Sequence, residues 1–117
     1  MKLEVNGVRD AGDIDKERVV IKATSNLDVG FYMLFQAGYY NDTVTNGVRA
    51  SYWFPDKEIN AGDLVILYTK KGTNSEKPLE SSTSHFFYWG QEEPLWNKEN
   101  RSAIIAHLSE WNRFLPE

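Results

Sequence analysis

Apolar residues recur at every second position over short stretches, and turn-forming residues separate these stretches at near-regular intervals. A period of two predicts β-strands, and their spacing predicts an antiparallel sandwich or barrel. Arg18 to Thr24 is the clearest case: Val19, Ile21 and Ala23 share one face, and Arg18, Val20, Lys22 and Thr24 the other. Leu3 to Val5 suits a short strand ahead of it. Val29 to Tyr39 is apolar on both faces, with Val29, Phe31, Met33 and Phe35 on one side and Tyr32 and Leu34 opposite. Such a run suits a central strand covered on both faces.

Turn chemistry marks the gaps. Asn41-Asp42-Thr43 and Asn46-Gly47 precede a strand from Val48 to Phe54, and Asn-Gly is a strong hairpin signal. Pro55 ends that strand by removing a donor. Ala61-Gly62-Asp63 predicts a turn, with Gly62 at positive φ or in a reversal too tight for a Cβ. It launches Leu64 to Thr69, where Leu64, Ile66 and Tyr68 share a face. Lys70 to Ser82 is the longest polar stretch and reads as a loop. In Ser84 to Trp89, Phe86 and Tyr88 oppose Phe87 and Trp89.

The C-terminal stretch has two readings. Ser102 to Leu108 suits a strand with Ile104, Ala106 and Leu108 inward. Ile104, Leu108, Trp111 and Leu115 also form a helical stripe, which Asn100 or Ser102 would cap. A last strand is favoured, because a sheet edge needs closure; a short C-terminal helix stays as the alternative.

Composition narrows the class. The 117 residues are enough for one domain, expected over 1–117, and 41% hydrophobic with 26% charged residues excludes a disordered tail or a coiled coil. With no cysteine, disulfides, thiolate metal sites and cysteine nucleophiles are excluded. The first seven residues have no apolar run of the kind a signal peptide carries, and no stretch is long enough to span a bilayer, so a cytoplasmic protein away from membranes is expected. The net charge of −4 and a longest basic run of Lys70-Lys71 argue against nucleic acid as partner.

Phe54-Pro55-Asp56-Lys57-Glu58-Ile59-Asn60-Ala61-Gly62-Asp63-Leu64-Val65-Ile66-Leu67 resembles the lamin tail domain family in its Phe-Pro, apolar residue, small residue with glycine, and apolar strand. Trp89-Gly90 with Leu95-Trp96-Asn97, the last-strand run Ala103 to Leu108, and the acidic-to-apolar step Glu17-Arg18-Val19-Val20-Ile21 are similar to other parts of that family. The resemblance covers about Glu17 to Leu108. It implies an immunoglobulin-like antiparallel β-sandwich serving as a recognition or scaffolding module. It transfers no catalytic or binding residue, since fold does not carry function.

Candidate chemistry is sparse. Asp10, Asp13, Asp15 and Glu17 form an acidic cluster, but its spacing misses a calcium loop and suits a solvated turn. His85 and His107 are the only histidines; nothing sets a serine beside them, and they read as exposed strand residues. Glu92-Glu93 is an adjacent pair, unsuited to facing each other across a substrate, and reads as a solvated loop. No motif of an enzyme is present, and no metal or cofactor is expected.

The aromatics, 14% of the chain, are more informative. Phe31, Phe35, Tyr52, Phe54, Phe86 and Tyr88 suit a core. Tyr32, Tyr39, Tyr40, Trp53, Phe87, Trp89, Trp96 and Trp111 then compete for cover, and exposed Trp and Tyr are enriched at interface hot spots. The expected function is non-enzymatic: recognition of a protein partner, or self-association, through an aromatic patch including Tyr39, Tyr40, Trp89 and Trp96. The alternatives are a carbohydrate-binding sandwich stacking sugars on Trp89, Trp96 and a Tyr, or complete cover of these rings by the chain's own Trp111 to Leu115 tail.

Overall fold

The computed structural model describes residues 1–116 and is all-β, with its sheets packed as a β-sandwich. β1 (Leu3–Arg9), β2 (Arg18–Ala23), β3 (Leu27–Asp28), β4 (Tyr32–Tyr40) and β5 (Thr43–Trp53) form the first half. β6 (Glu58–Ile59), β7 (Leu64–Tyr68), β8 (Ser75–Pro78), β9 (Thr83–Tyr88) and β10 (Arg101–His107) complete it. One sheet runs β1-β2-β7-β9-β8, a second β10-β4-β5, and β3 pairs with β6. Pairing is antiparallel except between β7 and β9, which run parallel. Parallel neighbours cannot be joined by a tight turn. The polar stretch 70–82 makes the return, and it is not all loop: β8 forms within it as an exposed edge strand on β9.

The core lies between the two larger sheets. Val19, Ile21 and Ala23 of β2 are fully buried, as their alternation predicts. Val65, Leu67 and Phe87 join them from β7 and β9 and meet Tyr32, Leu34 and Phe54. Ala103 and Ile105 of β10 pack on the same core, so β10 turns inward the residues opposite to the expected Ile104 and Ala106. No helix forms there: Trp111 and Leu115 of the supposed stripe are exposed.

Three turn expectations resolve differently. Gly62 has φ 93°, in the left-handed region, and a Cβ there would meet nothing within 4 Å, so conformation rather than space demands glycine. Asn41 and Asp42, at φ 49° and 59°, form the two-residue turn joining β4 to β5. Asn46-Gly47 is not a turn; it lies within β5, where the pairing with β4 shifts register between Ala37↔Val48 and Tyr39↔Val44.

The long apolar run 29–39 is also redrawn. Val29–Phe31 is a single 3-10 turn, capped by the Asp28 carboxylate, which accepts the Gly30 N–H at 2.8 Å and the Lys57 N–H at 3.0 Å. In β4, Tyr32, Leu34 and Gln36 are the buried face, while Met33 and Phe35 point outward half-buried. Alternation sets parity, but where both faces are apolar it does not say which is the core. The same inversion affects β9: Phe87 is buried, while Phe86 and Tyr88 are half-buried; Phe31 is 53% exposed.

Candidate recognition surface

The β10-β4-β5 register decides which residues share the outward face of the smaller sheet. Met33 lies between Trp53 and Ala106, and Phe35 between Ser51 and Ile104. These positions alternate with the core residues Leu34, Tyr52 and Ile105. The outward face thus carries Met33, Phe35, Trp53, Ile104 and Ala106, where a sheet facing water ordinarily shows polar residues. Trp53 is 47% exposed, and Val48, further along β5, is 56% exposed. The Trp53 indole is fixed by donating to the Gly30 carbonyl at 2.8 Å. Trp111, from the tail, meets it edge to face with ring centroids 5.0 Å apart and is itself 57% exposed.

The outer face of the larger sheet is also aromatic but is covered. Tyr68 stacks on Tyr88 at 5.4 Å, Lys70 and Arg18 lie over the Tyr68 ring, and a Cβ on Gly72 would strike the Tyr88 ring. The loop after β7 therefore packs on that face, whereas at the smaller sheet's outward face Trp53 stays 47% exposed beneath the Trp111 ring.

The four residues singled out by sequence separate. Tyr40 is 70% exposed at the β4–β5 hairpin. Tyr39, beside it, donates its hydroxyl to the Asp42 carboxylate; that bond, with some burial, raises its phenol above the usual range. Trp89 is half-buried: its indole donates to the Ser51 carbonyl at 3.1 Å, and its ring rests on Tyr52. Trp96 is buried in the core, its ring tilted 59° to Trp89. The two tryptophans therefore form no shared flat platform at the surface, and the cover over Trp96 is not the tail, since Phe114 and Leu115 are 86% and 70% exposed.

Trp96 is held by Glu17. That carboxylate, read from sequence as part of a solvated cluster, is fully buried and accepts from Gly12 N–H, Leu95 N–H, Trp96 N–H and the Thr69 hydroxyl. Its three acidic neighbours do stay at the surface: Asp10 pairs with Arg18 at 2.8 Å, and Asp13 accepts the Asp15 N–H. Among the described residues, no group of three or more His, Asp or Glu is arranged to hold a metal ion.

His85 likewise is not an exposed strand residue. It is buried, and its Nε2 lies 2.8 Å from Asp63 Oδ2. Asp63 also accepts from the N–H groups of Thr83 and Asn60. Burial alone raises the Asp63 pKa, but the hydrogen bonds from His85, Thr83 and Asn60, with the His85 charge, outweigh it and hold the carboxyl below its ordinary value. The other ring nitrogen, Nδ1, has no hydrogen-bond partner, so no serine or threonine hydroxyl completes a nucleophilic arrangement. The pair instead ties the Asn60–Asp63 turn to the start of β9. His107 is exposed and stacks on Tyr32 at 4.9 Å. Glu92 pairs with Lys71 at 3.3 Å beside an open cleft, and Glu93 is exposed. No described helix is long and apolar enough to cross a membrane.

Sequence reasoning placed Trp53 and Trp111 among the rings in need of cover but assigned Phe35 to the core and missed Val48. The misleading signal was Gln36, whose parity puts a polar residue on the face of Leu34 and so marks the true core face as the solvent side. Gln36 is buried because its side-chain amide donates to the Leu95 carbonyl, a partner 59 residues away. Compared with known proteins, the chain matches no family model and no curated protein.

Proposed function

We propose that the chain is a non-enzymatic protein-recognition module whose contact surface is the outward face of β10-β4-β5. The observation that carries this reading is the apolar outward face on which Met33, Phe35 and Ile104 are half-buried around the exposed Trp53, with Val48 and Trp111 also exposed. A contiguous exposed apolar patch on a globular domain marks an interaction site, and tryptophan is the residue type most often found at interface hot spots. Tyr40 extends the surface at the hairpin; Trp89 and Trp96 support it from beneath, with Trp89 holding β5 through Ser51. The resemblance to the lamin tail domain family supports the same reading, because its members act as recognition or scaffolding modules on an immunoglobulin-like sandwich. We assign the module to the cytoplasm as part of this proposal, on its lack of cysteine.

The test is capture from extracts of the source cells with the immobilised chain, in parallel with Trp53→Glu, Val48→Glu and the control Lys77→Glu on β8. The expected result is a protein, further copies of the chain included, retained by wild type and control and lost with both face variants. Capture that ignores both face variants would overturn the proposal.

A further inference from the structure

The chain does not leave the smaller sheet when β10 ends. Leu108 N–H donates to the Phe31 carbonyl at 2.7 Å, one step beyond the last β10–β4 pair, His107 with Tyr32. Three residues later the Trp111 ring stands edge-on against Trp53, with centroids 5.0 Å apart and planes at 89°. Trp53 belongs to β5, which lies beyond β4 as seen from β10. The segment therefore crosses the sheet from one edge strand to the other. Three residues of extended chain reach about 10 Å, the width of two strand spacings, so the crossing is short and direct.

Register places the crossing on the recognition face. Met33 has Trp53 on one side and Ala106 on the other. These three form one outward row across β5, β4 and β10, and Trp111 lies at the β5 end of that row. Phe35, with Ser51 and Ile104, belongs to the next outward row.

The segment is held at two points. Among the described residues, Leu108 makes its last backbone hydrogen bond to the sandwich, and the Arg113 N–H turns to Asn112 within the segment. Residues 108–116 have no regular structure, and those after Leu108 are exposed. Trp111 itself is 57% exposed despite its contact. Trp53 has an anchor of its own, the hydrogen bond from its indole to Gly30, and so keeps its place when the segment lifts. An edge-to-face aromatic pair favours contact over separation by only roughly 2–10-fold. The segment thus rests on the face and is free to leave it without disturbing the core.

Resting on the recognition reading above, we infer that residues 109–115 form a displaceable strap over the chain's own recognition face, which a partner must lift to reach Trp53. A partner that binds the open form alone has its affinity reduced by the open fraction. With the strap closed roughly 2–10-fold over open, removing the Trp111 contact tightens binding about threefold to tenfold.

The probe is anilinonaphthalene sulfonate, a dye that fluoresces on exposed apolar surface, titrated into the full chain. Trp111→Ala binds the dye about threefold to tenfold more tightly than wild type, with unchanged circular dichroism. Trp111→Phe, which keeps a ring on Trp53, stays closer to wild type. Adding Trp53→Glu to Trp111→Ala abolishes the gain. Dye affinity in Trp111→Ala equal to wild type overturns the strap. A weaker affinity also overturns it, and makes Trp111 part of the contact surface, in keeping with the recognition reading. A gain that survives Trp53→Glu puts the dye elsewhere and overturns the strap as well. Loss of the native fold in Trp111→Ala has the same consequence, because a displaceable strap supports no core. The capture experiment judges the face separately: capture indifferent to Trp53→Glu and Val48→Glu removes the recognition reading whatever the dye shows.

Discussion

The Thr69 hydroxyl donates to Glu17 Oε2 at 2.5 Å, and both side chains are fully buried. Three backbone N–H groups, from Gly12, Leu95 and Trp96, converge on the same carboxylate. One side chain thereby joins the β1–β2 loop, the end of β7 and the loop that inserts Trp96 into the core.

Glu17→Ala should strand those donors together. A buried donor left unpaired costs about 1–3 kcal/mol, and the losses here share one site, so destabilisation on the order of 3–5 kcal/mol is expected. Glu17→Gln keeps the shape but turns amide hydrogens toward donors, and should cost about 2 kcal/mol. Urea midpoints give both values. A red shift of tryptophan emission in folded Glu17→Gln would report release of Trp96; unchanged stability in both variants contradicts the hub.

Acid should unfold the protein partly through Asp63. Its carboxyl is held below the ordinary value of 3.8, so the unfolded chain takes up a proton first. The stabilisation is complete above the unfolded pKa and is lost as pH falls through the lower folded pKa. Glu76, exposed and held down by Lys57, acts in the same direction. Denaturant midpoints from about pH 5 to about pH 2 should fall, and Asp63→Asn should flatten the slope below about pH 4. An Asp63→Asn profile parallel to wild type would remove Asp63 from the account.

The two tryptophans should behave oppositely on truncation. Trp96→Ala empties a core position and should cost about 3–5 kcal/mol of folding stability. Trp53→Ala removes a ring that is 47% exposed and one hydrogen bond to Gly30, and should cost about 1–2 kcal/mol while weakening partner binding by about 2 kcal/mol. Equal stability losses at the two positions would contradict the assignment of core and surface.

Gly62→Val should destabilise by about 1–3 kcal/mol because φ 93° is strained for a β-branched residue. Gly62→Asn should cost clearly less, since asparagine tolerates the left-handed region and the space for a Cβ is open. Thermal unfolding of both variants checks the ranking; valine matching asparagine would mean the turn relaxes.

The local features of the sandwich were legible in the residues themselves. The alternation of Val19, Ile21 and Ala23, the strand stop at Phe54-Pro55 and the glycine turn at Gly62 all appear where the pattern puts them. These depend on chemistry within a few residues: the two-residue period of a strand, the missing N–H of proline and the missing Cβ of glycine. The inward face of β4, the parallel pairing of β7 with β9, the burial of Glu17 and His85 and the exposed ring of Trp53 were decided by tertiary structure. A strand apolar on both faces has no inside until a second sheet covers one of them. A carboxylate near the start of a strand reads as solvated until Thr69, Leu95 and Trp96, 52 to 79 residues further along, bring it their donors. Hydrogen-bond partners contributed by distant segments allow Glu17, Gln36 and His85 into the interior, and the interior volume they help define leaves Phe35 and Trp53 on the outside.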